Sequence, residues 1–175
     1  AILREFPGNE QGGRMLCWLP LAALFQRMMN LAAFASGVCV HYVEDPREVL
    51  ACAREVEPTV FMGVPRFFEK LHAGIVEKIE AQRGWHRRLA QAAMKVGAEH
   101  AGYLRDGKRP PLGLRLRHAV LDFLVLRRIR GVLGRKLKFA VAGSAPMAPW
   151  LLEFFDGLGL QVLEAYGLSE NVVPM

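Results

Sequence analysis

Two stretches decide the fold: KLKFAVAGSAP at residues 136–146 and QVLEAYGLSE at residues 161–170. Each begins with a pattern typical of a buried β-strand, at residues 136–143 and 161–165, and the intervening segment Pro149–Gly157 has the length of a helix. A strand, a helix and a second strand form a βαβ unit, in which the two strands are parallel. Ligands of open parallel sheets bind beyond the carboxyl ends of the strands. We therefore expect the segments that follow these two strands to lie side by side in a ligand site.

Those two segments carry groups that suit a nucleotide and a metal ion. Tyr166 offers an aromatic face on which a flat base can stack, and Gly167 lets the base approach the backbone. The carboxylate of Glu170 suits Mg²⁺, which binds through one or two carboxylates while nucleotide phosphates supply further oxygens. Two other interpretations stand beside this one: a half-buried tyrosine that ends a strand, and a helix cap at Ser169 followed by an acid in the first turn.

The same segments resemble a known enzyme family. GSAP at residues 143–146, followed by YGLSE at residues 166–170, resembles the adenine- and magnesium-binding segments of the acyl-adenylate-forming enzymes. Within that superfamily, LPLA at residues 19–22 and PTVFMGVPR at residues 58–66 are similar to the long-chain fatty acyl-CoA synthetases (AMP-forming). Four segments occur in the family's order and spacing, and the resemblance extends from about residue 15 to the last residue.

The resemblance implies a role for each matching residue. Ser169 would contact phosphate as well as lie in the nucleotide site, Glu170 would bind Mg²⁺, and both are candidate catalytic residues. The implied substrates and cofactors are a fatty acid, ATP, Mg²⁺ and CoA. The candidate nucleotide-binding residues are Gly143, Ser144, Ala145, Pro146, Tyr166, Gly167 and Ser169.

The resemblance also implies a two-step reaction and leaves its acceptor open. A fatty carboxylate would attack the α-phosphate of ATP to give acyl-AMP and pyrophosphate, after which the CoA thiol would take the acyl group. The alternative is a fatty acyl-AMP ligase that loads a carrier protein. Ala23 and Gln26 stand where long-chain synthetases usually carry His and Glu, which bears on the choice of acceptor.

The chain is expected to be one internal fragment, residues 1–175, of the large N-terminal adenylation domain. Its 175 residues suit a single core, whereas the resembling enzymes are several times longer. The family's Ser/Thr/Gly-rich phosphate loop and its catalytic lysine are not among these residues. Since these groups offset charge at the transferring phosphate, we expect the fragment to be inactive alone.

The predicted fold class is α/β, a mostly parallel sheet flanked by helices and carrying a helical insertion. Further strands are expected at residues 15–19, 38–43 and 59–63, alternating with helices. A basic helical insertion is expected at residues 83–135, as two helices around a polar turn. The apolar spacing predicts a buried face on the second of these helices, formed by Leu116, Val120, Phe123, Leu124 and Ile129.

Charge is concentrated in that insertion. Residues 83–138 hold 15 Lys or Arg against 3 Asp or Glu, whereas the rest of the chain holds 8 against 14. Such a cluster indicates either a solvated helical face or a surface for an anionic membrane, and the second interpretation admits a non-enzymatic membrane-binding module. Nucleic acid is not an expected partner, because its binding favours exposed aromatic residues among the basic ones. The basic stretch after Tyr103, residues 105–117, contains no aromatic residue.

The sequence indicates a reducing, cytoplasmic setting. Peripheral contact with a membrane is compatible with that setting. The three cysteines form no CxxC pair, their odd number disfavours a disulfide framework, and no apolar run reaches transmembrane length. The first residues lack the pattern of a secretory signal. The five histidines show no metal-ligand spacing in the sequence, and the oligomeric state is not predicted.

Overall fold

The computed structural model describes residues 12–166, which divide into two compact units. The sheet unit comprises residues 12–64, 132–146 and 163–166 of the described chain. The helical unit comprises residues 65–131 and 147–162. The predicted limits of the basic insertion, residues 83–135, stay a prediction.

Within residues 12–166, five strands form one sheet, in the order β2-β1-β3-β4-β5. The pairs β1–β2, β1–β3 and β3–β4 are parallel, which confirms the predicted fold class. The predicted neighbours, the strand before GSAP and the strand before YGLSE, are adjacent as β4 and β5. The strands are β1 (Arg14–Cys17), β2 (Cys39–Tyr42), β3 (Val60–Gly63), β4 (Phe139–Gly143) and β5 (Val162–Ala165).

The two central strands are apolar throughout because both of their faces are covered. Every residue of β3 and β4 is buried, as is typical of interior parallel strands. Their register pairs Val60 with Phe139 and Gly63 with Ala142, so the two strands end together. One core cluster joins alternate strand residues to the inward face of the first helix and comprises Met15, Met29, Ala33, Val38, Val60, Met62, Phe139 and Val141.

Two helices belong to the sheet unit, α1 (Leu24–Ala35) and α2 (Val49–Val56). The buried positions of α1 recur at helical spacing, from Gln26 to Ala33, and give it one face toward the sheet. A 3₁₀ turn, Pro46–Glu48, precedes α2, and the carboxylate of Asp45 caps it by accepting the backbone N–H of Arg47 at 2.8 Å.

No strand lies between β3 and β4: all residues of this stretch are described, and they form helices and connecting turns, as predicted. The longest helix of the helical unit contacts the helix between β4 and β5 at two glycines, where a Cβ on Gly97 would lie 2.0 Å from the carbonyl oxygen of Gly157. The helices are α3 (Pro65–Glu80), α4 (Trp85–Arg105), α5 (Leu112–Leu121), α6 (Arg127–Arg130) and α7 (Pro149–Gly157), with a π-helical turn, Asp122–Leu126, between α5 and α6.

The π turn is held by an arginine. The guanidinium of Arg130 donates to both carboxylate oxygens of Asp122 and to the backbone carbonyl of Leu158, just beyond α7. This hydrogen-bonded pair lowers the pKa of Asp122, and burial of the carboxyl partly opposes that shift. Arg130 therefore ties the π turn to the end of α7.

The predicted buried face of the second insertion helix is wrong for four of its five positions. Leu116, Val120, Phe123 and Leu124 are exposed, and only Ile129 is partly buried. Because α5 carries leucines on more than one face, it buries Leu114 instead. The π turn then adds a residue to one turn, which rotates the positions beyond it and brings Leu126 inward.

Candidate functional site

The candidate site lies at the carboxyl edge of the sheet. β4 ends at Gly143 and β5 at Ala165, and because these strands are neighbours, the Gly143–Pro146 turn and Tyr166 follow adjacent strand ends within the sheet unit. The sequence analysis predicted this juxtaposition. Gly167, Ser169 and Glu170 lie outside the described residues, so their roles stay predictions.

Tyr166 presents its ring to solvent. The residue is 63% exposed, unlike the half-buried tyrosine of the alternative interpretation. A largely exposed tyrosine after an edge strand of the described sheet is able to stack on a planar base. This geometry fits an adenine, the group that the sequence analysis placed here.

A contact with α1 leaves room only for glycine at position 143. A Cβ at this position would lie 2.6 Å from a ring carbon of Phe25, so the phenyl ring occupies the space that a larger residue would need. Phe25 also packs against the core cluster. The first turn of α1 therefore borders the turn that follows β4.

The turn itself is conformationally unusual. Ser144 has φ of 72°, in the left-handed region that residues other than glycine rarely adopt. Such a conformation costs on the order of 1–3 kcal/mol and often accompanies a functional site. Ser144, Ala145 and Pro146 are all exposed, so the turn offers backbone and hydroxyl groups to a ligand.

A buried chain of amides supports the segment LPLA, and the sequence analysis missed it. The fully buried Gln26 accepts the backbone N–H of Leu19 at 3.3 Å and donates to the Asn30 carboxamide oxygen at 2.8 Å. Asn30 in turn donates to the Cys17 sulfur at 3.3 Å. Gln26 stands where the resembling family usually has Glu, and it holds the loop that leads from β1 into α1. Two amides four residues apart on the apolar face of a helix were the available signal.

Trp18 was also missed, and it joins two strand ends at the same edge. Its indole N–H donates to the backbone carbonyl of Met62 at 2.7 Å, and its ring stacks on Phe61 at 6.1 Å between centroids. The tryptophan thus fixes the end of β1 against the end of β3 beside the candidate site.

Binding of a nucleotide together with Mg²⁺ does not require a complete protein metal cluster. Within residues 12–166, no three His, Cys, Asp or Glu side chains are placed to hold a metal ion together. Mg²⁺ bound to a nucleotide requires only one or two protein carboxylates, since phosphates and water supply the remaining oxygens. Glu170, which lies outside the described residues, would supply one such carboxylate.

The structure brings together two histidines that the sequence did not connect. In the helical unit, His100 of α4 and His118 of α5 stack with centroids 4.0 Å apart. Burial, followed by the charge of His100, lowers the pKa of His118. In the sheet unit, the buried Nε2 of His41 has no hydrogen-bond partner among the described residues.

Known proteins resemble this chain over nearly its whole length. A family model described as "AMP-binding enzyme" matches residues 2–175. Long-chain-fatty-acid–CoA ligase FadD15 of Mycobacterium bovis is 40% identical over 161 residues, which is 92% of this chain and 26% of that protein. Long chain acyl-CoA synthetase 6, peroxisomal, of Arabidopsis thaliana is 29% identical over 158 residues, or 89% of this chain and 21% of that protein. The chain thus spans about a quarter of the length of the relatives it matches.

Solved structures share the fold. The A-PCP didomain of carboxylic acid reductase from Segniliparus rugosus, in complex with AMP, matches with a TM-score of 0.54 at 19% identity, over 89% of this chain and 18% of that one. The inhibitor-bound N-terminal domain of FACL13 from Mycobacterium tuberculosis matches with a TM-score of 0.51 at 15% identity, over 92% of this chain and 28% of that one. At these identities the likeness shows the fold alone.

Proposed function

Because the chain belongs to the AMP-binding enzyme family, we propose that it is part of a long-chain fatty acid–CoA ligase (AMP-forming). Relatives with that activity in their names match nine-tenths of the chain at 40% identity. The observation that carries the proposal is the exposed Tyr166 beside the strained turn at Ser144, on neighbouring strand ends of a parallel sheet.

Each candidate residue would have a different role in binding. Tyr166 and the Gly143–Pro146 turn would hold the adenine, with Gly167 leaving room beside the backbone. Ser169 would contact phosphate and Glu170 would bind Mg²⁺, which supplies positive charge to the phosphates when bound. Phe25 and the Gln26–Asn30 pair would keep the LPLA segment and the turn after β4 in a fixed relation.

The proposed chemistry has two displacements. A carboxylate oxygen of the fatty acid attacks the α-phosphorus of ATP and pyrophosphate leaves, which forms acyl-AMP. The CoA sulfur then attacks the acyl carbon and AMP leaves, while the thiol proton passes to solvent. The phosphate loop and lysine that the resemblance implies for the first step would come from elsewhere in the full-length protein.

The second candidate is a fatty acyl-AMP ligase that passes the acyl group to a carrier protein. It shares the adenylation step, and the absence of the usual His at Ala23 and Glu at Gln26 keeps it open. The similarity to proteins named as CoA ligases favours CoA.

The metal-binding role of Glu170 has a direct test. Fatty acid-dependent pyrophosphate exchange by the full-length protein should fall by about 10²–10³-fold in Glu170→Ala, because a charge partner of the transferring phosphate is lost. A matched control is Glu44→Ala. Glu44 is an exposed acid that follows β2, and β2 is the outermost strand on the side of the sheet away from β5. Near-normal exchange by a folded Glu170→Ala protein would remove Glu170 from the metal site.

We further propose a cytoplasmic enzyme that contacts an anionic membrane peripherally. No helix within residues 12–166 is long and apolar enough to cross a bilayer. The basic excess of residues 83–138 supports attraction to anionic lipid, and the fatty acid substrate itself partitions into bilayers. Adenylation in solution does not depend on this contact.

A further inference from the structure

The exposed surface of α5 and the π turn combines apolar and basic side chains in an unusual way. Five large apolar residues lie uncovered on this one segment, led by Leu112 at 82% and Leu116 at 69% exposure. Single exposed apolar residues are common, but a contiguous set marks an interaction surface. We call this set the apolar stripe; it comprises Leu112, Leu116, Val120, Phe123 and Leu124.

The regular part of the stripe follows one face of the helix. Leu112, Leu116 and Val120 are four residues apart, and at about 100° per residue they span about 80° of the helix circumference. Leu114 points the other way and is buried in the helical unit. The stripe is therefore the outward face of a helix whose inward face is already packed.

Arginines border the stripe on both sides. At the same angular spacing, Arg115 lies about 60° before Leu112, and Arg117 lies about 60° beyond Val120. Both arginines are exposed, as are Arg127 and Arg128 beyond the π turn. None of these four side chains forms an ion pair within the part of the chain that the structure describes.

The single acid of this segment does not offset those charges. Between Leu112 and Arg130 the only carboxylate is Asp122, and it is bound by the guanidinium of Arg130. The segment therefore presents an apolar strip within a wholly cationic border. A protein partner with a mixed-charge surface would find no acid to pair with, whereas an anionic lipid surface complements both the charge and the apolar strip.

We propose that the apolar stripe inserts into the interface of an anionic lipid membrane, with Arg115, Arg117, Arg127 and Arg128 on lipid headgroups. This rests on the membrane contact proposed above and adds its surface and its mode: partial insertion of one helix face, not attraction of charge alone. An amphipathic helix with this arrangement lies in the plane of the interface and buries its apolar face at the headgroup boundary.

The test uses the full-length protein and vesicle flotation at physiological salt. The probe is phosphatidylcholine vesicles with and without phosphatidylglycerol. Leu116→Gln combined with Phe123→Gln should lower the partition coefficient onto anionic vesicles at least tenfold, while all the arginines remain. The matched control is Leu31→Gln combined with Phe34→Gln, the same residue types on α1, each 56% exposed in the sheet unit, which should bind as the wild type does.

Three results would overturn the proposal: wild-type protein that ignores anionic vesicles, a folded stripe variant that binds them fully, or a control that loses as much binding. If the stripe were instead covered by the rest of the protein, the stripe variant would unfold at lower temperature and the wild type would not float. Leu112→Trp gives an independent readout, since brominated lipids should quench an inserted indole. Pyrophosphate exchange without vesicles should be unchanged in the stripe variant, which separates this proposal from the adenylation activity.

Discussion

At the scale of single residues, Gly143 is constrained by a phenyl ring. Gly143→Ala should destabilise the chain by about 1–3 kcal/mol, because the added Cβ would come within 2.6 Å of Phe25 in a filled core. Urea unfolding measures this loss. In the Phe25→Leu background the same substitution should cost much less, and an equal cost in both backgrounds would show that the ring is not the obstacle.

The pair Asp122–Arg130 makes stability depend on pH in a known direction. The folded-state pKa of Asp122 is lowered, chiefly by the hydrogen bond from Arg130, so the pair stabilises the fold above the ordinary aspartate pKa of about 3.9. That stabilisation is lost as the pH falls from there through the lowered pKa. The difference in unfolding free energy between the wild type and Asp122→Asn should be constant near neutral pH and shrink in acid.

The pKa of Asp156 is shifted in the opposite direction from that of Asp122. Burial raises the pKa of its carboxyl, so protonation of Asp156 favours the folded state, and its contribution to stability improves as the pH falls through the raised pKa. Asp156→Asn should therefore be tolerated at neutral pH. A difference for Asp122→Asn that widens in acid would contradict the assignment of its lowered pKa to Arg130.

The positions of the candidate site segments were predicted where a sequence pattern marks them, and their binding roles stay predictions; contacts that depend on packing alone were not predicted. Tyr166 and the Gly143–Pro146 turn follow apolar strand patterns and resemble family segments, and the structure places them at neighbouring strand ends. The links from Gln26 to Leu19 and from Trp18 to Met62 join residues in a way that depends on strand order. The sequence contains those residues, but the pairing appears only after the sheet has formed.

At the scale of secondary structure, the contact of α4 with α7 depends on two glycines. Gly97→Ala should cost about 1–3 kcal/mol or more, since its Cβ would meet the backbone carbonyl oxygen of Gly157 and not a flexible side chain. Gly102→Ala, in the same helix but with nothing within 4 Å, should stabilise it by up to about 1 kcal/mol. Equal unfolding midpoints for these two variants would refute the close helix contact.

The elements themselves were predicted well where local patterns decide them. The helix Pro149–Gly157 has the bounds expected from its sequence, and the strands begin and end within three residues of the expected positions. The orientation of α5 was not predicted, because leucines occupy both of its faces and spacing alone cannot say which face packs. The π turn at Asp122–Leu126 depends on Arg130, which is bound in turn by the carbonyl of Leu158, and that carbonyl is remote in sequence.

At the scale of the whole molecule, the chain would supply only part of a nucleotide site at one end of a parallel sheet. Tyr166, whose ring we propose stacks on adenine, is exposed among the described residues, and Glu170, the proposed Mg²⁺ ligand, follows in the sequence. Strong nucleotide binding comes from phosphate contacts, whereas one stacked base contributes about 1–3 kcal/mol. The 175-residue chain alone should therefore form no acyl-AMP, and the full-length protein is the form to assay.

The products formed by the full-length protein test the central claim most directly. With ATP, Mg²⁺, CoA and a long-chain fatty acid, mass spectrometry should detect AMP, pyrophosphate and fatty acyl-CoA in equal amounts. Omission of CoA should leave acyl-AMP. Accumulation of acyl-AMP with CoA present would contradict the CoA ligase and favour a carrier-loading enzyme, and the absence of any fatty acid-dependent AMP would contradict fatty acid adenylation itself.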